Sequence, residues 1–122
     1  MLAREHRITQ GTDFSLVMRS GVRIGRRNVV LYGIKKPGEF KAGIIVSKAV
    51  GNAVKRNLVK RRLREIVRSE LGTSNLWLVV RALPAAAQAD FTELREDMTS
   101  ALRRLDHKLG DEQASQKGKE VR

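Results

Sequence analysis

No cysteine occurs in the 122 residues, which excludes a disulfide scaffold, a thiolate zinc site and a cysteine nucleophile. His6 and His107 are the only histidines, and two cannot make a metal site by themselves. Aromatic side chains are scarce at 4%, so few residues are available to stack on a nucleobase. Long apolar runs are missing as well. Nothing approaches the roughly 20 residues that cross a bilayer, and Arg4, Glu5, His6 and Arg7 interrupt any apolar core of a secretion signal. A cytoplasmic chain with no membrane partner is expected. The last shortage is of acid: 13 Asp and Glu stand against 25 Lys and Arg, a formal net charge of +12. Such an imbalance calls for a polyanion, nucleic acid before an anionic membrane surface.

A chain of this length with 41% hydrophobic residues can bury one core, and so forms one domain. Its charge is concentrated in one stretch. Residues 55–68 hold seven Lys or Arg and a single Glu. Asn52 is a good N-cap for a helix there, because its side-chain oxygen can accept an amide proton of the first turn. The helix is expected to run to about Leu71 and to stop at Gly72. Wound at 3.6 residues per turn, it places Val59, Leu63, Ile66 and Val67 on one core-facing stripe. Asn57, Lys60, Arg61, Arg64 and Arg68 fall in a separate arc about 100° wide. Arg56 sits in the first turn, free to swing to either side. Charge runs on helices are often plain solvated faces, but those mix signs to form i,i+4 pairs, whereas this arc stacks like charges that repel. A polyanion along the arc would relieve the repulsion, and Arg offers planar, multi-donor recognition of phosphate.

Residues 1–11 read as a flexible basic arm, with Ile8 able to tuck against the body. Thr12 is the expected N-cap of a first helix that Gly21 ends, with Phe14, Val17 and Met18 on one face. Arg23, Arg26 and Arg27 make a second basic patch. A strand over 28–35 puts Val30, Tyr32 and Ile34 on one side, turn chemistry follows at 36–39, and a strand over 40–47 is expected as its antiparallel partner. The continuous apolar run 76–82 suits a buried strand, with Trp77 in the core. Asp90 and Glu93 start a final helix whose inward stripe is Phe91, Leu94, Met98, Leu102, Leu105 and Leu109. From Gly110 onward apolar content nearly vanishes and a disordered tail is expected over 110–122, leaving 1–109 as a single RNA-binding domain.

This order of elements builds an α/β (α+β) two-layer sandwich, a small sheet with helices packed on it. No catalytic residue stands out. Asp13, Asp90, Glu93, Glu96 and Asp97 read as helix-start or exposed-face residues, and no small-molecule pocket motif is present.

The pattern RNxxKRxxR, formed by Arg56, Asn57, Lys60, Arg61 and Arg64 after a VGNAV lead-in, resembles the signature helix of the bacterial ribonuclease P protein subunit. Asp13-Phe14, Gly21, "VLY" at 30–32 and "GIIVSK" at 43–48 extend the similarity over most of residues 7–105. The resemblance implies a small mixed sheet of the ribosomal protein S5 domain 2-like kind, a further strand before Asn28 and a left-handed βαβ crossover. It also implies a function: binding the catalytic ribonuclease P RNA and the 5′ leader of precursor tRNA, with the chemistry done by that RNA and its Mg²⁺. On this basis Arg56, Asn57, Lys60, Arg61, Arg64 and Arg68 would meet the catalytic RNA. Phe14, Met18, Tyr32 and Lys48 would line the leader groove, with Met18 standing where relatives often carry a second aromatic. Arg23, Arg26 and Arg27 would add basic contacts, and no residue of the protein would hold a metal. The alternative is a general RNA-binding or ribosomal protein.

Overall fold

The most apolar strand lies at the centre of the sheet. In a computed structural model describing residues 4–71 and 75–121, with 70, 71 and 111–121 by backbone alone, four strands and three helices form. They are α1 (Gly11–Ser20), β1 (Val22–Gly25), β2 (Val29–Lys35), β3 (Phe40–Ile45), α2 (Ala53–Leu71), β4 (Leu76–Ala82) and α3 (Phe91–Val121). The strand order is β1-β2-β4-β3. All of β4 except Arg81 is buried, as suits a strand covered on both faces.

This order corrects one expectation. β3 does not pair with β2; it runs parallel to β4, which is antiparallel to β2 on its other side. The turn after β2 is stitched to the start of β4 instead, with the Lys36 N–H donating to the Asn75 carbonyl and the Leu76 N–H to the Glu39 carbonyl. The apolar run thus takes the doubly covered position, and α2 supplies the long crossover that parallel neighbours need. The strand implied before Asn28 is present as β1, antiparallel to β2 at the sheet edge.

Alternation along the strands gives the sheet two apolar faces. Leu31, Leu78, Val80 and Ala42 pack with Val59, Leu63 and Ile66 of α2 and Leu94, Met98 and Leu105 of α3. Val30, Tyr32, Trp77 and Val79 pack with Val17 of α1 and with Ile8. The sheet is therefore sandwiched, with α1 on one face and α2 and α3 on the other.

Further expectations change in detail. Residues 4–8 are seated along β3: the Ile8 N–H donates to the Ala42 carbonyl at 2.9 Å, His6 Nδ1 donates to the Phe40 carbonyl at 2.9 Å, and Ile8 is buried. Docking on the β3 edge replaces the flexible arm there. Helix α1 begins at Gly11, with Thr12 inside it and no side-chain cap; the Gln10 carbonyl takes the first amides. Gly21 does end α1, its N–H bonded to the Val17 carbonyl at 2.8 Å, and a Cβ there would press on the Gly33 backbone. Phe91 leaves the inward stripe of α3 and is 37% exposed, because the first turn overhangs the core. Helical backbone continues past Leu109 to Val121 where a disordered tail was expected, through a segment rich in Glu, Gln, Ala and Lys, all good helix formers. The expected stop at Gly72 lies outside the described residues.

Candidate nucleic-acid interface

Helix α2 is fixed in rotation by its core stripe. Val59, Leu63 and Val67 are wholly buried and Ile66 nearly so, while Asn57, Arg61 and Arg68 are exposed and Lys60 and Arg64 half-buried. Its start is capped as the sequence predicts, the Lys55 N–H donating to Asn52 Oδ1 at 2.9 Å. On one flank of the stripe, Arg62 Nη1 donates to the Ala89 carbonyl at 3.1 Å and fastens α2 to the lead-in of α3. The polar arc lies on the other flank, turned away from α3.

Three cations in this region differ in their freedom. Arg56 is half-buried and its Nε is shut from solvent with no hydrogen-bond partner, so it is seated rather than free to swing. Arg68 Nη2 meets Glu65 Oε1 at 2.9 Å. The Arg68 guanidinium, first by that hydrogen bond and then by its charge, holds the Glu65 carboxyl below the usual glutamate range. Arg61, by contrast, stands out into solvent.

A groove lies on the opposite face, between α1 and the sheet. Phe14 and Met18 are half-buried there and join Tyr32, Val79 and Trp77 in one cluster. The Phe14 ring rests on Gly43 of β3, where any Cβ would overlap it. Lys48 is exposed in the turn between β3 and α2. Tyr32 is only 8% exposed, so it serves as a wall of the groove more than an open stacking platform.

Comparison with known proteins decides the family. The sequence model of the ribonuclease P family, "Ribonuclease P", matches residues 2–106. The chain belongs to the ribonuclease P protein family. The ribonuclease P protein component of Pseudarthrobacter chlorophenolicus is 56% identical over 107 residues, covering 84% of this chain and 78% of that one. The component of Streptomyces avermitilis is 42% identical, covering 86% and 95%. Among solved structures, the ribonuclease P protein of Staphylococcus aureus superposes with a TM-score of 0.74 at 28% identity, covering 86% of this chain and 92% of that one. For that of Thermotoga maritima the TM-score is 0.72 at 28% identity, with 80% and 96% covered. The chain is thus a protein component of the ribonuclease P endoribonuclease, with a role in tRNA 5′ processing and an RNA partner in the holoenzyme.

Within this ribonuclease P protein the predicted residues fall into three places. Asn57, Lys60, Arg61, Arg64 and Arg68 share the outer flank of α2, with Arg56 at its first turn. Phe14, Met18 and Tyr32 meet on the α1 face. Arg23, exposed on β1, lines a pocket facing α3 with Arg103, Arg104, His107 and Lys108, while Arg26 and Arg27 occupy the turn into β2. Sequence reasoning overlooked the setting of Trp77. It is buried, as expected, but on the α1 face, under Lys36 Nζ at 4.5 Å and Lys41 Nζ at 5.4 Å from its ring centroid. Only the β3–β4 register, which sets Lys41 opposite Trp77, reveals this. Among the described residues no three His, Asp or Glu side chains gather where a metal ion could be held, and no helix is long and apolar enough to cross a membrane.

Proposed function

We propose that this chain is the subunit that docks on the catalytic RNA of ribonuclease P through the outer flank of α2 and holds the 5′ leader of precursor tRNA in the groove beneath α1. The observation that carries the reading is the division of α2: its apolar stripe is sealed by the core, and its opposite flank offers Asn57, Lys60, Arg61 and Arg64 to solvent or its margin. Guanidinium and ammonium groups on a rigid helix neutralise backbone phosphates and release their counterions, and Arg adds multi-donor geometry. Asn57 contributes a neutral donor and acceptor for a base edge or ribose. In the groove, Phe14 supplies an aromatic surface for an unpaired leader base, with Met18 and Tyr32 as apolar walls and Lys48 as a phosphate contact at the rim.

Cleavage in this reading belongs to the RNA, and Mg²⁺ supplies the chemistry there, bound mainly by that RNA. The protein's residues bind and orient; their positive charge replaces part of the screening that Mg²⁺ would otherwise provide. The work is done in the cytoplasm, where precursor tRNA is met.

Reconstitution tests this directly. With a bacterial ribonuclease P RNA, the protein should lower the Mg²⁺ needed to cleave precursor tRNA, and the protein alone should leave precursor intact. Cleavage by the stringently purified protein without RNA, or no change in the Mg²⁺ requirement, would overturn the proposal.

A further inference from the structure

The basic residues of the leader groove and of α2 leave a third group of cations unexplained. Along α3, Arg103, Arg104, His107 and Lys108 follow an i, i+1, i+4, i+5 spacing and so share one side of the helix, beside the stripe of Leu102, Leu105 and Leu109 that faces the core. The four stand over the edge strand. Together with Arg23, Ile24 and Gly25 of β1 they line a pocket of about 570 Å³. No acid lines it: Asp106, the one acid between Asp97 and Gly110 in sequence, falls outside this side of the helix. The arginines and Lys108 are exposed, as is Arg23 across from them. β1 pairs with β2 alone, so its outer backbone edge adds N–H donors to the rim.

We propose that this pocket is a second RNA-binding site, one that seats a backbone phosphate of the catalytic RNA separately from the α2 contact. The inference rests on the reading above, that this chain binds that RNA. The chemistry is that of a phosphodiester: three guanidinium groups, one ammonium and an imidazole converge on a concave site with no carboxylate in its wall. Position in the fold selects which RNA. α3 packs on β1 and β2 and α2 on β3, which are opposite ends of the strand order, and the polar arc of α2 turns away from α3. One short segment cannot follow both, whereas a large folded RNA can grip the protein from two sides. The four α3 residues also lie across the sheet from α1, so a leader held in the groove would have to turn round the sheet edge to reach them.

The test is binding of the full chain to a bacterial ribonuclease P RNA over a series of salt concentrations, comparing wild type with Arg103→Gln/Arg104→Gln and, separately, with Arg23→Gln on the facing wall. The double variant should bind that RNA roughly tenfold more weakly, with the slope of log K against log salt shallower by about two units, and Arg23→Gln by about one. The preference of the reconstituted holoenzyme for precursor over mature tRNA should stay unchanged. Circular dichroism melting identifies any variant that loses affinity through unfolding, in which case the facing-wall variant decides. If wild type binds the RNA and folded variants bind equally well with the same slope, the pocket is not an RNA site and the α2 reading stands. A loss confined to precursor tRNA would assign the pocket to the leader and overturn the proposal too. Failure of wild type itself to bind would overturn both readings together.

Discussion

Against one face of the sheet, α2 and α3 exclude solvent from Leu63, Ile66, Leu94, Met98 and Leu105 almost completely. Against the other, α1 contributes a single fully buried side chain, Val17, and leaves Phe14, Met18, Ile34 and Ile45 half-covered. One layer carries the stability and the other keeps apolar surface within reach of a ligand. The difference follows from supply: a small domain has too little apolar surface to seal both faces of a sheet, and net charge of the size seen here opposes compaction further. The same division recurs inside α2, whose inner stripe belongs to the core and whose outer flank belongs to the partner.

The contrast is broken most forcefully at Leu63. Leu63→Ala should cost about 2–5 kcal/mol, the usual result of a large-to-small change in a packed core, read as an early thermal melt. Arg61→Ala/Arg64→Ala, on the other side of the same helix, should shift stability by no more than about 0.5 kcal/mol. That variant should lose RNA affinity, with a salt slope shallower by roughly one unit per phosphate contact removed. An early melt for the double variant and a normal one for Leu63→Ala would mean that the two flanks of α2 have been assigned the wrong way round.

On the open face, Phe14→Ala should weaken binding of leader-bearing precursor by about 1–3 kcal/mol, the worth of a base–aromatic stack, with mature tRNA binding unchanged. Gly43→Ala sharpens this: it keeps the ring but fills the space beneath it, and should reduce leader affinity in the same direction by displacing Phe14. Equal losses for both tRNA ligands would return Phe14 to a purely structural role.

A smaller effect is expected at the start of α2. Asn52→Ala removes the acceptor of the Lys55 N–H and should cost about 1 kcal/mol, measured by denaturant unfolding, with the salt slope of RNA binding untouched. A changed slope would show that Asn52 meets the RNA directly.

The facing of α2 was legible because its stripe obeys the helical period without interruption, and Val59, Leu63, Ile66 and Val67 are all buried. Caps were legible where a side chain makes them, at Asn52 and at Asp90, whose Oδ1 accepts the Glu93 N–H. Strand order was not. Residues 28–35 and 40–45 are joined by a short turn and look like a hairpin, yet β4, about 35 residues on, enters between them because burial on both faces outweighs the shorter connection. The site suffered in proportion. Lys36, Lys41 and Trp77 meet only through that non-local pairing, and Arg23 meets Arg103 and Arg104 only through the packing of α3 on the sheet edge. The arc on α2, by contrast, is local in sequence and needed no knowledge of the sheet.

The smallest effect tests how far that arc extends. Arg68 belongs to it by spacing, yet its guanidinium is held by Glu65 at 2.9 Å, and the Glu65 carboxyl lies below the usual value of 4.5 in consequence. A carboxyl lowered on folding binds its proton more weakly in the folded than in the unfolded chain. The pair's contribution is therefore fully present above about 4.5 and is lost as pH falls through the lowered value. Both side chains are about half-exposed, so the contribution is small and fades with salt. Wild type and Glu65→Gln should differ slightly in melting temperature at neutral pH and converge on acidification. For RNA the sign is opposite: Glu65→Gln removes an acid from beside the arc and frees Arg68, so binding should tighten at low salt and the salt slope should steepen by about 0.9 for one added phosphate contact. An unchanged slope with the expected convergence in melting would place Arg68 beyond the reach of the RNA and end the interface at Arg64.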